Sequence, residues 1–338
     1  MLIQENASLF PYNTFGIRCS AEYLAQFTSV SELQEILSQN KFHTQSKLLL
    51  GGGSNILFTK DFNGLVLLNE IKGIETVAED PQSITLKVGG GENWHQFVSH
   101  CVSKGWGGLE NLSLIPGKVG AAPMQNIGAY GVEQNACFIE LDALDMISKS
   151  VVIFSKSDCH FGYRESYFKQ KGKDRYAITS VTYKLNKHPK LNIEYGAIGQ
   201  ELDMMGVSTP TIGTVAQAVI NIRSSKLPDP KDIGNSGSFF KNPIIENVIF
   251  ELLKSNYPTI VAYPAQSGYT KLAAGWLIEK AGWKGYREGD FGVHKNQALV
   301  LVNYGNASGA EIIDLSNRII DDVKLKFGVD LEREVNIV

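Results

Sequence analysis

Residues 115–131 read Ile-Pro-Gly-Lys-Val-Gly-Ala-Ala-Pro-Met-Gln-Asn-Ile-Gly-Ala-Tyr-Gly, and no other stretch restricts the fold of this 338-residue chain as strongly. Gly or Pro interrupts it every few residues, so neither a helical period nor a strand alternation survives. Ile115, Val119, Met124, Ile127 and Tyr130 nevertheless ask for burial, so the stretch is not a polar linker. Irregular loops of this length in compact domains are usually either functional or disordered. Glycines at 117, 120, 128 and 131 are expected to take positive φ and to leave their N–H groups uncovered. Bare amides of that kind form concavities that hold anions, phosphates above all. Two readings stay open here, a buried connection of a large domain and a phosphate cradle.

The rest of the composition narrows the class. The chain is 43% hydrophobic and 20% charged, with a net charge of -3, and its Lys and Arg residues are scattered. That argues against a nucleic-acid partner. No apolar run approaches the ~18 residues that span a bilayer, and Met1–Asn6 lacks the basic-then-apolar pattern of a signal peptide. Cys19, Cys101, Cys137 and Cys159 are widely spaced without a CxxC, so reduced thiols are expected rather than a disulfide framework or a metal site. The expectation is a cytoplasmic protein of enzyme size with two or three domains.

In chain order, residues 1–70 read as a small α/β unit. Ser31 and Gln34 suggest a capping box, with Leu33, Ile36 and Leu37 as the apolar helix face. A strand Lys47–Leu50 runs into Gly51-Gly52-Gly53-Ser54-Asn55, the kind of turn where nucleotide phosphates sit. Neither GxGxxG nor GxxxxGK[ST] is present, so the Rossmann and P-loop readings are unsupported and an ordinary tight turn remains an alternative. Short strands dominate residues 71–190, with one helix from about Glu92 to Ser103 that buries Trp94, Phe97, Val98 and Cys101. His95 and His100 fall on different faces of it, which argues against a metal pair. Helices are expected near 213–225, 246–255, 271–281 and 309–327, the last with a Ser308/Glu311 capping box and Gly328 past its end. A strand is expected at Ala298–Val302. Separate runs of strands and helices give an α+β class.

Four polar groups stand out. Arg164 sits in Phe-Gly-Tyr-Arg-Glu-Ser, where a surface ion pair with Glu165 is the simplest reading. Gly234–Pro243 holds glycines, serines and an aromatic pair that are costly to order without a ligand. Lys226 and Lys271 are the third; at the start of an expected helix, Lys271 opposes the helix dipole unless an anion binds there. The fourth is Glu334 in a strand-like tail. Ser238-Phe239-Phe240-Lys241 also matches S-x-x-K, but no Lys-Thr-Gly and no GxSxG accompany it, so acyl transfer on Ser238 is disfavoured.

Taken together, these segments resemble the UDP-N-acetylenolpyruvoylglucosamine reductases (UDP-N-acetylmuramate dehydrogenase, MurB). The resemblance runs through Asn13-Thr14-Phe15-Gly16, Gly51–Asn55, Ile115–Gly131, Tyr163-Arg164, Lys226–Pro230, Gly237–Pro243, Lys271–Ile278 and Glu334-Val335. Tyr195-Gly196 and the residues up to Lys226 resemble the extra segment of the subgroup with a tyrosine lid. The resemblance implies a two-lobed FAD-binding domain of the PCMH/VAO type, in residues 1–70 and 71–225. A smaller α/β substrate-binding domain would follow in residues 226–329, and residues 330–338 would return to the active site.

The implied chemistry is a two-stage reduction. NADPH reduces FAD, and the enolpyruvyl nucleotide sugar then takes the hydride at its methylene carbon. By the same resemblance Gly51, Gly52, Gly53, Ser54 and Asn55 bind FAD. So do Ile115, Pro116, Gly117, Val119 and Gly120, with Gln125, Asn126, Gly128, Ala129, Tyr130 and Gly131. Arg164 and Glu334 match residues that stabilise the enolate, and Ser238 matches the proton donor. An arginine fork suits a carboxylate or enolate oxygen. An ionised glutamate would repel an enolate, so Glu334 is expected to act protonated or through hydrogen bonding. Tyr163, Tyr195, Lys226, Asn242, Tyr263, Lys271 and Gln297 would hold the uridine diphosphate sugar. Departures from the family pattern are Gly52, where many relatives carry a charge, and Arg333-Glu334-Val335-Asn336 in place of the commoner Pro-Glu-Val-Arg.

The expected partners are therefore the nucleotide-sugar substrate and NADPH, without nucleic acid, membrane insertion or metal, in a monomer. Two alternatives stay open. One is an oxidase of the wider flavoprotein group, which would often carry a histidine for covalent flavin attachment; neither glycine cradle has one. The other is a catalytically silent nucleotide-sugar sensor.

Overall fold

The computed structural model describes residues 2–338. The chain divides into two units. The first comprises residues 1–7, 21–52 and 62–225; the second comprises residues 8–20, 53–61 and 226–338.

In the first unit a four-stranded sheet has the order Ile3–Ser8, Ser20–Phe27, Phe62–Asn69, Lys47–Leu50. Phe62–Asn69 pairs in parallel with both neighbours. Parallel strands need a crossover between them, and helix α1 (Val30–Ser38) supplies it. It buries Leu33, Ile36 and Leu37, as the sequence pattern requires. Its cap lies two residues earlier than expected. Ser29, in extended conformation, accepts from the Glu32 amide, and the Glu32 carboxylate reaches back to the Thr28 amide at 2.6 Å. Gln34, expected to close the box, donates instead to the Lys149 carbonyl. Spacing alone fits both pairs; the extended backbone at Ser29 decides between them.

A five-stranded antiparallel sheet follows, in the order Val151–Ser155, Phe138–Asp145, Tyr176–Asn186, Ser83–Gly89, Ile74–Glu79. Helix α2 (Trp94–Ser103), capped by the Asn93 side chain, buries Trp94, Phe97, Val98 and Cys101. They join Leu86, Val88, Val181 and Tyr183 of the sheet in one core. Helices α3 (Gly196–Met204) and α4 (Ile212–Lys226) form a smaller core through Ile198, Leu202, Val215, Val219 and Ile222.

The second unit holds a four-stranded antiparallel sheet ordered Gly234–Asn235, Leu301–Asn303, Phe291–Val293, Arg287–Glu288. The expected strand at Ala298–Val302 is thus shorter and later, because pairing begins at Leu301, opposite Val293, and runs to Asn303. A second sheet places Tyr269–Leu272 between Ile244–Glu246 and Ala262–Pro264. Helices α5 (Asn247–Asn256) and α6 (Ala274–Lys280) occur near their expected places, but α6 starts after Lys271. Helix α7 (Gly309–Phe327) packs on the strands Phe291–Val293 and Leu301–Asn303 and on α6. Its Ser308/Glu311 capping box is complete, and Gly328 takes φ 70° beyond its end, both as expected.

Among the described residues no helix is long and apolar enough to cross a membrane, and no metal-binding cluster of three or more side chains occurs. All four cysteines are free and buried. Burial pushes the Cys101, Cys137 and Cys159 thiols up to about 12. Ser308→Ala should lower stability by about 1 kcal/mol, as loss of a helix N-cap does. An unchanged urea midpoint would show that α7 does not depend on its box.

Candidate active site

The glycine stretch is not featureless. It winds through 3-10 turns at Val119–Ala121 and Pro123–Gln125 and a short pairing of Gly128–Ala129 with Val132–Glu133. Ile115, Met124, Ile127 and Ala129 pack on the core of the five-stranded sheet. The expectation about its glycines is half corrected. Gly117 and Gly131 take positive φ, whereas Gly120 and Gly128 do not. Those two are small because space is short: a Cβ on Gly120 would lie 3.0 Å from two carbonyl oxygens, and one on Gly128 2.8 Å from the Glu133 side chain. The remaining left-handed positions fall on Leu114, Asn126 and Tyr130.

Backbone meets backbone where the first glycine turn reaches this stretch. A Cβ on Gly52 would stand 2.8 Å from the Gly117 Cα, and one on Gly51 3.3 Å from the Ala121 side chain. A charged side chain, as many relatives are expected to carry here, has no room at Gly52 in this chain. The Gly52 amide donates to no acceptor among the described residues. A bare amide where two main chains meet this closely fits a pyrophosphate, which accepts short hydrogen bonds and needs backbone to come close.

The fully buried Asn126 organises the turn beside it. Its Nδ2 donates to the Glu133 carboxylate at 2.8 Å and to the Gly162 carbonyl at 3.1 Å, so its side chain is committed to the protein. That second bond anchors the tight turn Gly162–Glu165, in which Arg164 sits at φ 54°. The Arg164 guanidinium donates to the Gly128 carbonyl at 2.5 Å and lies over the Tyr163 ring. The Glu165 carboxylate accepts from the Ser166 amide.

A second arginine belongs to this region, and the sequence reading passed over it. Arg223 of α4 donates from Nε to the Leu114 carbonyl at 3.2 Å, and its charge lies close to the Tyr130 hydroxyl. Burial lowers its pKa, Tyr130 offsets part of the effect, and the Arg164 charge adds to it. No carboxylate pairs with it among the described residues. The Tyr130 ring meets Tyr195 edge to face at 5.5 Å, at the start of α3. His95 accepts from the Leu114 amide through Nδ1, and burial followed by the Arg223 charge lowers its pKa. His100 instead faces Trp106.

In the second unit Thr14 is the knot. Its amide and hydroxyl donate to the Gly53 carbonyl, and its hydroxyl donates to the Asn235 carbonyl at 2.6 Å. The Asn235 side chain then receives the Gly237 amide, shaping the loop that carries Ser238. The next residue links Ser238 to the tail: the Glu334 amide donates to the Phe239 carbonyl at 2.8 Å, and Phe240 bridges Arg333. Ser238 and Glu334 are 96 positions apart in the chain (334 − 238) and lie on neighbouring backbone here. The Ser236 hydroxyl, buried two residues before Ser238, has no hydrogen-bond partner among the described residues.

Of the expected diphosphate residues, the second unit brings two directly together. Tyr263 and Lys271 are direct partners across an antiparallel pair, so their side chains share one face. Lys271 thus lies in a strand, and the expectation that it opposes a helix dipole falls. The Asn242 side chain accepts from the Ala274 amide at 3.0 Å and caps α6, which is why the helix starts there. Gln297 lies beside Gly275, its oxygen 3.3 Å from where a Cβ would be.

Residues 21–149 match the family model described as an FAD binding domain. Residues 229–338 match the one described as the C-terminal domain of UDP-N-acetylenolpyruvoylglucosamine reductase. A reductase of that name from Flavobacterium johnsoniae is 49% identical over 339 residues, covering all of both chains. The chain belongs to the UDP-N-acetylenolpyruvoylglucosamine reductase family. A relative of the same name from Pseudomonas syringae pv. tomato is 49% identical, covering 99% of this chain and 98% of its own. The crystal structure of the reductase from Thermus caldophilus superposes with a TM-score of 0.69 at 22% identity, covering 100% of this chain and 99% of that one, and so shares its fold. The fold is therefore the α+β arrangement of the reductase family, an FAD-binding domain with a separate C-terminal domain.

The His95 contact has a consequence for pH. Its folded-state value lies below the ordinary 6.5, so on acidification the unfolded chain takes the proton first. The stabilisation is complete above about pH 6.5 and is lost as the pH falls through the folded-state value. The thermal midpoint should drop between about pH 6.5 and 5, and drop less in His95→Gln, whose amide oxygen keeps accepting from Leu114. Equal drops in both proteins would remove His95 as the source.

Proposed function

We propose that this chain is an NADPH-dependent, FAD-mediated reductase that converts UDP-N-acetylglucosamine enolpyruvate to UDP-N-acetylmuramate for peptidoglycan precursors. Full-length identity of 49% to reductases of that name supports the reaction. The observation that supports the site is the hydrogen bond between the Phe239 carbonyl and the Glu334 amide, which joins the backbone next to Ser238 to that of Glu334. Residues 1–70 and 71–225 are proposed as the lobes that hold FAD, residues 226–329 as the substrate domain, and residues 330–338 as the tail that brings Glu334.

When bound, FAD would be held by the loops 51–55 and 115–131 and would supply the hydride drawn from NADPH. The protein does the rest. Lys226 and Lys271 neutralise the diphosphate, and Tyr263, Asn242 and Gln297 orient the nucleotide, with Tyr195 and Tyr163 flanking the sugar. Arg164, set by its left-handed backbone and the Gly128 carbonyl, turns fixed positive charge towards the substrate carboxylate. As hydride reaches the methylene carbon, negative charge moves to the neighbouring carbon and its carboxylate. Charge fixed in advance where charge develops is usually the largest catalytic effect. Ser238 then gives its hydroxyl proton to that carbon, and Glu334 hydrogen-bonds the enolate. A serine is a weak acid, so it donates only to a strongly basic carbon within hydrogen-bond reach. The enzyme is proposed to work as a cytoplasmic monomer, a setting in keeping with its four buried free thiols.

Anaerobic mixing of the NADPH-reduced protein with the enolpyruvyl nucleotide sugar should restore the oxidised flavin spectrum. Ser238→Ala should leave reduction by NADPH intact and slow reoxidation by ~10²-fold or more. Equal slowing of both half-reactions would contradict the role of Ser238.

A further inference from the structure

Residues 332–338 form a strap fastened on both sides of Glu334 by side chains as well as main chain. Before Glu334, the Lys241 amide donates to the Glu332 carbonyl at 2.8 Å, and Arg333 reaches α7. Its Nε donates to the fully buried Ser316 hydroxyl at 2.8 Å, and Nη2 donates to the Asn317 side-chain oxygen. After Glu334, Asn336 closes a reciprocal clamp with Asn55. The Asn336 amide and its Nδ2 both donate to the Asn55 carbonyl, at 3.1 and 2.9 Å. The Asn55 Nδ2 donates back to the Glu334 carbonyl at 3.3 Å. Asn336–Ile337 then pair in parallel with Ile56–Leu57, and the Thr59 amide and hydroxyl hold the Val338 carbonyl.

We propose that Arg333 and Asn336 are positioning residues for Glu334, fixing its backbone from both sides so that its carboxyl is presented beside Ser238. The inference rests on the reading of Glu334 given under the proposed function. Arg333 acts as a lateral stay. Its guanidinium is partly desolvated, which lowers its pKa, and it spans to two consecutive α7 side chains, so the peptide before Glu334 cannot swing away from Phe240. Asn336 acts as a lengthwise stop, because its two donors share one acceptor on Asn55 and hold the register of the strap. Truncating either side chain leaves the backbone bonds of the strap in place. The fold should therefore survive while Glu334 gains play, and a misplacement of about 1 Å in a reacting group costs on the order of 10²-fold in rate.

Three single variants of the full-length holoprotein test this, Arg333→Ala, Asn336→Ala and Glu334→Gln, with Arg333→Lys as the conservative control. Reduction by NADPH should be unchanged in Arg333→Ala, Asn336→Ala and Arg333→Lys. Reoxidation by the enolpyruvyl nucleotide sugar should slow about 10- to 100-fold in Arg333→Ala and Asn336→Ala and recover in part in Arg333→Lys. Without any turnover, amide exchange in the peptide covering 332–338 should speed up in the two alanine variants. Reoxidation at the parental rate in both alanine variants, beside a slow Glu334→Gln, would overturn the inference. So would equal loss in both half-reactions, which marks a general structural role. A Glu334→Gln protein that reoxidises at the parental rate would instead overturn the reading of Glu334 itself.

Discussion

The first unit depends on two loops approaching each other more closely than side chains allow. At Gly52 and Gly117 the main chains are in contact, and a single methyl on Gly52 would lie 2.8 Å from the opposing Cα. Neither loop has the regular pattern that would position it. The second is placed by packing Ile115, Met124 and Ile127 on the sheet core and by bonds from Val119 and Gly120 to the Glu92 and Gly90 carbonyls. From that contact outward, the side chain of Asn126 carries the geometry to the turn of Arg164, and Arg223 carries it to Leu114 and Tyr130. A half-buried arginine whose hydrogen bond goes to a neutral carbonyl is electrostatically incomplete. An electron-rich ligand group would complete it.

The second unit solves a different problem, bringing residues far apart in the chain to one place. Thr14 fastens Gly53 to Asn235, Asn235 shapes the Ser238 loop, and Glu334 pairs with Phe239. Each link is a hydrogen bond with main chain on at least one side.

What the sequence made legible was whatever is local. The α7 capping box and its Gly328 end fall within 21 residues (308 to 328), and both are as the pattern requires. The apolar faces of α1 and α2 are equally plain. Reading failed where a distant partner decides. Lys271 looks like the first residue of a helix until Asn242, nearly thirty residues earlier in the chain, caps Ala274 and leaves Lys271 to pair with Tyr263. Ser31 and Gln34 have the spacing of a box, yet the backbone at Ser29 takes the role. Arg223 gave no signal at all, since an arginine late in a helix is ordinary and only the fold shows that no carboxylate meets it. Gly120 and Gly128 do not take the positive φ their type allows; they are small because neighbouring atoms press on them. The site residues themselves came from family resemblance, and local physics supplied only the expectation of bare amides near phosphate.

The central claim is that uncovered main chain at the Gly52–Gly117 contact holds the dinucleotide. Its most direct test is the FAD dissociation constant of Gly52→Ala, measured by flavin fluorescence on the deflavinated protein, with far-UV circular dichroism as the check on folding. The account predicts a native-like spectrum with FAD affinity lowered at least about tenfold, the effect of about 1.4 kcal/mol of forced loop separation. A folded Gly52→Ala protein that binds FAD as tightly as the parent would contradict it.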